Sequence, residues 1–255
     1  MKRLSILVAL ALLAASCGPR PAQYILGTYN LHHCEPPSGG PRLYDELGGL
    51  IRQLDPDVLA LQELDSCNAR SGEFQAAELA ERTGMAYLYH RTIPFGGGSY
   101  GIGMLYKPIL GLVKSEFLPL PGVEPRGALV AEFSRFVYVS THLCHEDARN
   151  RSTSIQILES WIAERYNTSR KPVFLAGDFN SPDFLSGTHS LVPWSTDAAT
   201  FSHDGGGARI DYILRFRSHA GELSSLLDSV VPSPDGIQLD SLSDHYPVLS
   251  FVRVR

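Results

Sequence analysis

Five segments of this chain each end an apolar run in side chains that can bind a metal ion or a phosphate group. This pattern is typical of a buried strand that exposes polar residues at its tip. If the five tips converge, they bring carboxylate, amide and imidazole groups together, which is what metal-assisted hydrolysis requires. The segments are YNLHHC (29–34), VLALQELD (58–65), VFLAGDFN (173–180), ARIDYIL (208–214) and LSDHYPV (242–248).

Asp211 lies inside an apolar segment, where an ionised carboxylate is costly unless it is paired. His245, in the segment SDHYP, is its natural partner. A carboxylate that binds one imidazole nitrogen fixes the tautomer and makes the other nitrogen more basic. The simpler interpretation is an Asp that caps a turn at a strand end. The presence of SDHYP favours the functional pair.

Asp178 and Asn180 flank Phe179 at another strand tip, so both side chains point the same way in extended backbone. One could orient an attacking water while the other donates hydrogen bonds to a phosphoryl oxygen. Gly-Asp-Phe-Asn is also ordinary turn chemistry. The functional interpretation therefore depends on finding IDY and SDH downstream in that order.

Glu63 suits a hard divalent cation, since Mg²⁺ takes one or two carboxylates and keeps several waters. Asn30 and Asp244 would complete the metal shell or orient those waters, and Mn²⁺ is the alternative ion. Taken singly, each of the three is as easily a turn or cap residue. His142 follows an apolar run and could contact phosphate.

Three further residues are weaker candidates for contacts with substrate, because a solvated surface position is the default for such side chains. They are Arg126, Arg151 and His203.

The rest of the sequence predicts the elements that hold these tips. Leucines and isoleucines at helical spacing predict a helix that ends at Asp55, a second over 74–82, and a long third beginning near Asp147. Short strands broken by Gly and Pro lie between them. Each half of the chain gives strand, helix and strand with hairpins between, which predicts an α/β domain of two mixed sheets packed face to face with helices outside.

The first residues predict an export signal. Lys2 and Arg3 precede an apolar stretch, Leu4–Leu13, that is too short to span a bilayer, which takes about 20 residues. Small residues before Cys17 favour a lipoprotein signal over 1–16, with Cys17 lipidated, residues 17–23 as a tether and 24–255 as the domain. The alternative is an ordinary secretory leader. We expect a periplasmic, outer-membrane or cell-surface lipoprotein, or otherwise a secreted protein.

Charge and cysteine content narrow the function further. The leader carries two basic and no acidic residues, so its removal would change the net charge from −5 to −7. No run of Lys or Arg exceeds two residues, which argues against a protein that tracks the DNA backbone.

Three cysteines follow the leader, and in an oxidising compartment one disulfide and one free thiol is the simplest expectation. Their spacing matches no CxxC zinc motif. They are Cys34, Cys67 and Cys144.

In order along the chain, YNLHHC, LQELD, YGIGMLYK, RGALV, THL, GDFN, RIDYIL and SDHYPV resemble the endonuclease/exonuclease/phosphatase superfamily, the DNase-I-like phosphoesterases. The resemblance extends from Tyr24 to the C-terminus and implies a four-layer α/β sandwich. It also implies Mg²⁺ at Glu63, organised by Asn30 and Asp244. Asp178 would polarise the attacking water.

By the same resemblance, Asn180 would hold the phosphoryl group and His142 would contact it. His245, paired with Asp211, would bind phosphoryl oxygens or transfer a proton. The substrate stays open between a nucleic acid, an inositol phosphate or other lipid head group, and a sugar phosphate. We expect a monomer without a protein partner, attached to the membrane through its lipid. A non-catalytic binding protein on the same fold is the alternative from another class.

Overall fold

The computed structural model describes residues 21–183, 188–202 and 207–255. The predicted leader, the lipidation site Cys17 and the candidate His203 lie outside these residues, and so does most of the predicted tether. Among the described residues, no helix is long and apolar enough to cross a membrane.

Two six-stranded sheets form the described structure. The first has the order β11-β12-β1-β2-β4-β3 and the second the order β5-β6-β7-β8-β10-β9. The strands are β1 (Ala22–Asn30), β2 (Val58–Ser66), β3 (Ala86–Phe95), β4 (Gly98–Tyr106), β5 (Leu112–Leu120), β6 (Arg126–Phe133), β7 (Val137–His142), β8 (Val173–Asp178), β9 (Leu191–Pro193), β10 (Asp211–Phe216), β11 (Ser224–Val230) and β12 (Val248–Val254). The helices are α1 (Tyr44–Leu54), α2 (Gln75–Thr83) and α3 (Ala148–Tyr166).

Three apolar clusters separate four layers. One fills the space between the sheets, where residues such as Leu26 and Met104 of the first sheet face Tyr138 and Phe174 of the second. A second packs α3 on the outer face of the second sheet, and the third packs α1 and α2 on the outer face of the first. The predicted four-layer α/β sandwich, with two mixed sheets packed face to face and helices outside, is confirmed.

The pairing of the strands decides where the polar tips lie. In the first sheet β1 and β2 run parallel, while β12 is antiparallel to β1, so the start of β12 lies at the edge where β1 ends. In the second sheet β7 and β8 run parallel and pair His142 with Asp178. The antiparallel neighbour β10 begins with Asp211 directly opposite Asp178. The polar tips of each sheet therefore lie at a single edge.

The helices begin and end close to their predicted limits. The first ends at Asp55, which takes a left-handed conformation with φ of 47°. The third begins after Asp147, whose carboxylate accepts a hydrogen bond of 2.8 Å from the backbone N–H of Arg149. Such an N-cap replaces a partner that the first turn of a helix lacks, which explains why this helix begins here.

The predicted disulfide is wrong, because all three described cysteines are free. Cys34 and Cys144 are buried and Cys67 is exposed. The Cys144 thiol lies 3.2 Å from a carboxylate oxygen of Glu146, to which it donates.

Candidate active site

The five predicted tips meet at a cleft of about 300 Å³ at one edge of both sheets. A direct hydrogen bond joins the sheets there: the amide Nδ2 of Asn30 on β1 donates to Oδ2 of Asp178 on β8, at 3.1 Å. The predicted residues that line the cleft are Glu63, Arg126, His142, Asp178, Asn180, Asp244 and His245. Tyr100, Glu124, His145, Phe201 and Ile210 complete its walls.

Asp211 and His245 form the pair that the sequence predicted. His245 Nδ1 donates to Asp211 Oδ2 at 2.8 Å, and the carboxylate is fully buried. The hydroxyl of Thr200 donates to the same oxygen at 2.7 Å. Burial alone would lower the pKa of His245, but the charges of Asp211 and Asp178 outweigh it and raise the pKa to about 10. The imidazole is therefore held in its charged form at neutral pH.

Asp178 lies across the strand pair from Asp211, so the backbone ladder fixes the distance between two buried carboxylates. Burial, followed by the negative charge of Asp211, raises the pKa of Asp178 to about 7. The Nε2 atom of His245 lies 3.7 Å from Asp178 Oδ2. A carboxyl group with a pKa near neutrality is suited to accept and return a proton.

The pKa of Glu63 is shifted in the opposite direction from that of Asp178. Although burial opposes ionisation, the close contact with His33 and the hydrogen bond from the amide of Asn30 hold the pKa of this carboxyl below its usual range. Asn30 Nδ2 donates to Oε1 at 3.1 Å, and His33 Nδ1 lies 3.2 Å from Oε2. Glu63 is therefore a fixed anion at the cleft, which is the form that binds a divalent cation.

Asn30 reaches the carboxylates through nitrogen rather than oxygen. Its amide group donates to both Glu63 and Asp178, while its Oδ1 accepts from the backbone N–H of His32 at 3.1 Å. The side chain is fully buried. In this arrangement Asn30 orients the predicted metal ligand and the predicted water-activating group with one planar amide.

The imidazole of His142, which lies beside Arg126, is neutral, unlike the protonated imidazole of His245. Arg126 Nη1 lies 3.5 Å from His142 Nδ1, and because a guanidinium has no acceptor, this contact requires a lone pair on Nδ1. The proton of the neutral ring then lies on Nε2, which is 3.5 Å from Asp178 Oδ2. Burial, and then the positive charge of Arg126, hold the pKa of His142 well below its ordinary value.

The remaining predicted residues divide into those at the cleft and those outside it. Asn180 and Asp244 lie at the cleft, and Asn180 Nδ2 also donates to the backbone oxygen of Leu143 at 3.0 Å. Arg151 does not line the cleft. Its guanidinium donates to the backbone oxygens of Cys144 and His145, which fixes the loop that carries His145. The prediction of Arg151 as a substrate contact is thus not supported by its position.

Several residues of the site were not recognised in the sequence. Thr200 holds Asp211, and Ser243 donates from its hydroxyl to the backbone oxygen of Asn30 at 2.8 Å. His33 contacts Glu63, although within the segment YNLHHC only Asn30 carried a predicted role. Serine and threonine carry no sequence signal for such contacts, because their partners lie far away along the chain.

Two groups of side chains could hold a cation. Ligand atoms of Asp178, Asp211 and His245 lie within 4.8 Å of one another. However, His245 Nδ1 is used by Asp211, and a protonated imidazole is a donor on both nitrogens and cannot be a ligand. Glu63, an anion that lines the same cleft as Asp244, fits a hard cation better.

Comparison with known proteins gave one family and many structural relatives. The model of the Endonuclease/Exonuclease/phosphatase family matches residues 27–245 of this chain. No curated protein sequence matches significantly.

Three solved structures illustrate the structural likeness. A family protein from Bacteroides thetaiotaomicron aligns with a TM-score of 0.74 at 17% identity, over 92% of this chain and 99% of that one. The mannosyl-6-phosphatase Bt3783 of the same organism gives 0.69 at 18% identity, over 90% and 99%. TDP2 of D. rerio, complexed with a single-strand DNA product, gives 0.68 at 18% identity, over 91% and 99%. At such identities the likeness concerns the fold.

Proposed function

Since this chain belongs to the endonuclease/exonuclease/phosphatase family, and is therefore a phosphoesterase hydrolase, we propose that it hydrolyses a phosphate ester of a small molecule with the help of Mg²⁺. The observation that carries the proposal is the convergence of Glu63, Asp178 and the Asp211–His245 pair on one cleft. In this proposal a water attacks the phosphorus atom in line with the leaving group.

Asp178 would orient the attacking water and accept its proton, since its raised pKa places proton transfer near neutral pH. His245, held as an imidazolium by Asp211, would bind phosphoryl oxygens or donate a proton to the leaving oxygen. His142 and the amide of Asn180, which line the same cleft, would bind the phosphoryl group. These donors would stabilise negative charge as it develops, which is usually the largest catalytic effect.

The metal would be held by Glu63, with Asp244 and waters that Asn30 helps to orient. When bound, a divalent cation neutralises charge on the phosphoryl oxygens and lowers the pKa of water. The depressed pKa of Glu63 means that no proton competes with the cation at neutral pH.

The charges of the cleft support a small ester rather than duplex DNA. Among the described residues that line it, Arg126 is the only arginine and there is no lysine. Glu63, Glu124, Asp178 and Asp244 contribute four carboxyl groups to the same walls. A duplex binder instead places many Lys and Arg along the phosphate backbone. We therefore place a sugar-phosphate or lipid head-group ester ahead of a nucleic acid as the substrate.

We also propose that the protein is exported as a lipoprotein and anchored through Cys17. The support is the sequence alone: two basic residues, a short apolar stretch and small residues before the cysteine. Expression with radiolabelled palmitate should label the wild type and not Cys17→Ser. Label retained in Cys17→Ser would contradict lipidation at this position.

The test of function compares wild type with His245→Ala on a phosphomonoester, a phosphodiester and single-stranded DNA, with Mg²⁺ and with EDTA. We expect product only with wild type and Mg²⁺, and faster turnover of a small ester than of DNA. Efficient DNA cleavage would change the proposed substrate class to nucleic acids but would leave the proposed active site unchanged. Equal activity of the two proteins would refute the role of His245. If Mg²⁺ does not bind and no ester is cleaved, the non-catalytic binding protein becomes the better interpretation.

A further inference from the structure

The cleft and the start of the domain lie at opposite ends of the sandwich. Asn30, beside the cleft, is the last residue of β1, and Glu63 lies near the end of the parallel strand β2. The first residue of β1 is Ala22, and nine residues of extended strand separate the two ends by roughly 26 Å. The end where β1 begins is called the entry end below, because the chain enters the domain there.

The connection from β4 to β5 lies at the entry end. Backbone hydrogen bonds place it there, since the N–H of Asp57 donates to the oxygen of Ile25 at 2.8 Å and the N–H of Lys107 donates to Asp57 at 2.9 Å. The connection carries Ile109, which is 90% exposed and is the most exposed large apolar side chain of the described residues. A side chain that the core does not use is therefore presented to the surroundings at this end.

Further exposed apolar side chains lie at the same end. Val113, 60% exposed, follows Leu112, which pairs with the last residue of β6, a strand that begins at the cleft with Arg126. Leu226 is exposed near the start of β11, which pairs with the end of β12 beside the start of β1. Single exposed apolar residues are ordinary, whereas several at one end of a molecule indicate a contact surface.

The sequence indicates what covers this surface. Cys17, the proposed lipidation site, precedes Ala22 by five residues, which a fully extended chain spans in at most about 18 Å. A lipid on Cys17 therefore keeps the entry end close to the bilayer. Because the lipid already holds the domain there, a weak contact surface is enough to orient it, as for any second contact within a tethered pair.

The charges around the exposed segment are paired. Lys107 precedes the segment PILGLV and Lys114 follows it. Lys107 forms ion pairs with Asp55 and Asp57, at 2.9 and 3.2 Å. Lys114 forms one with Glu116 at 2.8 Å. Contact of this segment with a bilayer therefore depends on burial of apolar side chains and little on attraction to anionic lipids.

We propose that the entry end rests on the bilayer that holds the Cys17 lipid, with Ile109 and Val113 at the bilayer surface, so that the cleft opens away from that bilayer. The substrate is then a phosphate ester dissolved in the aqueous phase and not a head group of the same membrane. This inference rests on the proposed lipidation of Cys17, and it narrows the proposed substrate to water-soluble esters.

The cleft end provides a matched control. Val123, 69% exposed, lies in the connection between β5 and β6, next to the pairing of Leu120 with Arg126. Phe95 is also exposed there, in the hairpin between β3 and β4. If the cleft faced the bilayer instead, these two side chains would make the contact.

The experiment uses the full lipidated protein in phosphatidylcholine vesicles, with a nitrobenzoxadiazole label on one thiol. Cys67 is exposed and directly follows β2, so a label on it lies at the cleft end, and the other two described cysteines are buried. Ile109→Cys combined with Cys67→Ser moves the label to the entry end. We expect brominated lipid to quench the label at position 109 and not the label on Cys67. Added phosphatidylglycerol should change neither result.

The docking surface is tested by substitution with the Cys67 label in place. Ile109→Asp combined with Val113→Asp should release the entry end, because a carboxylate is costly in an apolar environment, and the Cys67 label should then lose fluorescence to brominated lipid. Val123→Asp should match wild type. All three positions are exposed, so folding does not depend on them. Wild type should cleave a soluble ester equally fast in vesicles and in detergent and should leave the vesicle phospholipid intact.

The outcomes separate this inference from the proposals around it. A quenched Cys67 label in wild type, relieved by Val123→Asp, overturns the orientation and makes head groups of the same membrane the better substrate. Unchanged quenching in the double Asp variant overturns the docking surface. Absence of lipid on the wild type overturns lipidation and this inference together, while the hydrolytic site stands. The expected quenching without hydrolysis of any ester supports the orientation and overturns the proposed function.

Discussion

The substitution Asp211→Asn tests the origin of the charged imidazole most directly. Asp211 is fully buried, and its Oδ2 accepts hydrogen bonds from His245 Nδ1 at 2.8 Å and from Thr200 at 2.7 Å. Asparagine has nearly the same shape but no charge. The change therefore removes the electrostatic partner of His245 with little effect on packing.

The magnitude follows from the pKa of His245, which is raised from 6.5 to about 10 although burial opposes the charged form. Such a shift corresponds to about 5 kcal/mol of tighter proton binding. Asp178 contributes part of it, from 3.7 Å, and remains in the variant. Loss of one partner of a buried pair usually costs about 3–5 kcal/mol, so we expect the pKa of His245 to fall to its ordinary range or below.

The assay is an NMR titration of the His245 ring together with the rate of ester hydrolysis. Wild type should keep this ring protonated through pH 8, whereas Asp211→Asn should lose the proton near or below neutrality. Turnover at pH 7.5 should fall at least about 100-fold, as expected for a catalytic acid or charged donor. A ring that still titrates near pH 10 in Asp211→Asn would refute the reasoning.

A stability measurement provides an independent check on the same pair. Because the folded pKa of His245 is higher than the unfolded one, its contribution to stability is complete below about pH 6.5 and disappears as pH rises toward 10. Urea unfolding of wild type between pH 6.5 and 10 should show this loss, and Asp211→Asn should show less of it. Thr200→Val, which keeps the charge of Asp211 but removes the hydroxyl, should leave the imidazole charged at pH 7.5.

Three further predictions concern other parts of the molecule. Arg126→Met should raise the pKa of His142, because the main opposing charge beside this buried ring is lost; an unchanged NMR titration would contradict that cause. Tyr138→Phe should lower the free energy of unfolding by about 1–2 kcal/mol, since its hydroxyl donates to the backbone oxygen of Gly27 at 2.6 Å across the two sheets. Urea unfolding measures this loss, and a change below about 0.3 kcal/mol would contradict it. In protein beginning at residue 21, thiol titration should find three free thiols after denaturation and only Cys67 reactive in the native state; fewer than three would restore the disulfide.

The strand tips could be predicted because each buried apolar run in the sequence is followed directly by residues whose side chains can bind a metal ion or phosphate. An apolar run predicts a buried strand, and the polar residue that ends it must lie at a sheet edge. The convergence of Glu63, Asp178 and His245 then follows from the pairing within each sheet, parallel for β1–β2 and β7–β8 and antiparallel for β1–β12, and from packing between the sheets. The pairing of Asp211 with His245 could be predicted on energetic grounds, because a buried carboxylate needs a partner.

Contacts that depend on loop geometry could not be predicted. Arg151 and Arg126 look alike in the sequence, yet one binds backbone oxygens of a loop and the other lies at the cleft. The strand β11 carries little sequence signal, because SSLLDSV is largely polar and lies at the edge of its sheet. Cysteine spacing likewise gives distance along the chain and not through space, so the predicted disulfide failed.

The hydrogen bonds from Asn30 to Asp178 and from His245 to Asp211 connect the two sheets at this edge. Each sheet carries only part of the chemistry, with Glu63 and His245 at the edge of one and Asp178 and Asp211 at the edge of the other. A slight slide of one sheet over the other would leave every strand intact while separating these parts. The enzyme should therefore lose activity before it loses secondary structure on heating, and the Tyr138 hydroxyl, deep in the interface, should delay that inactivation.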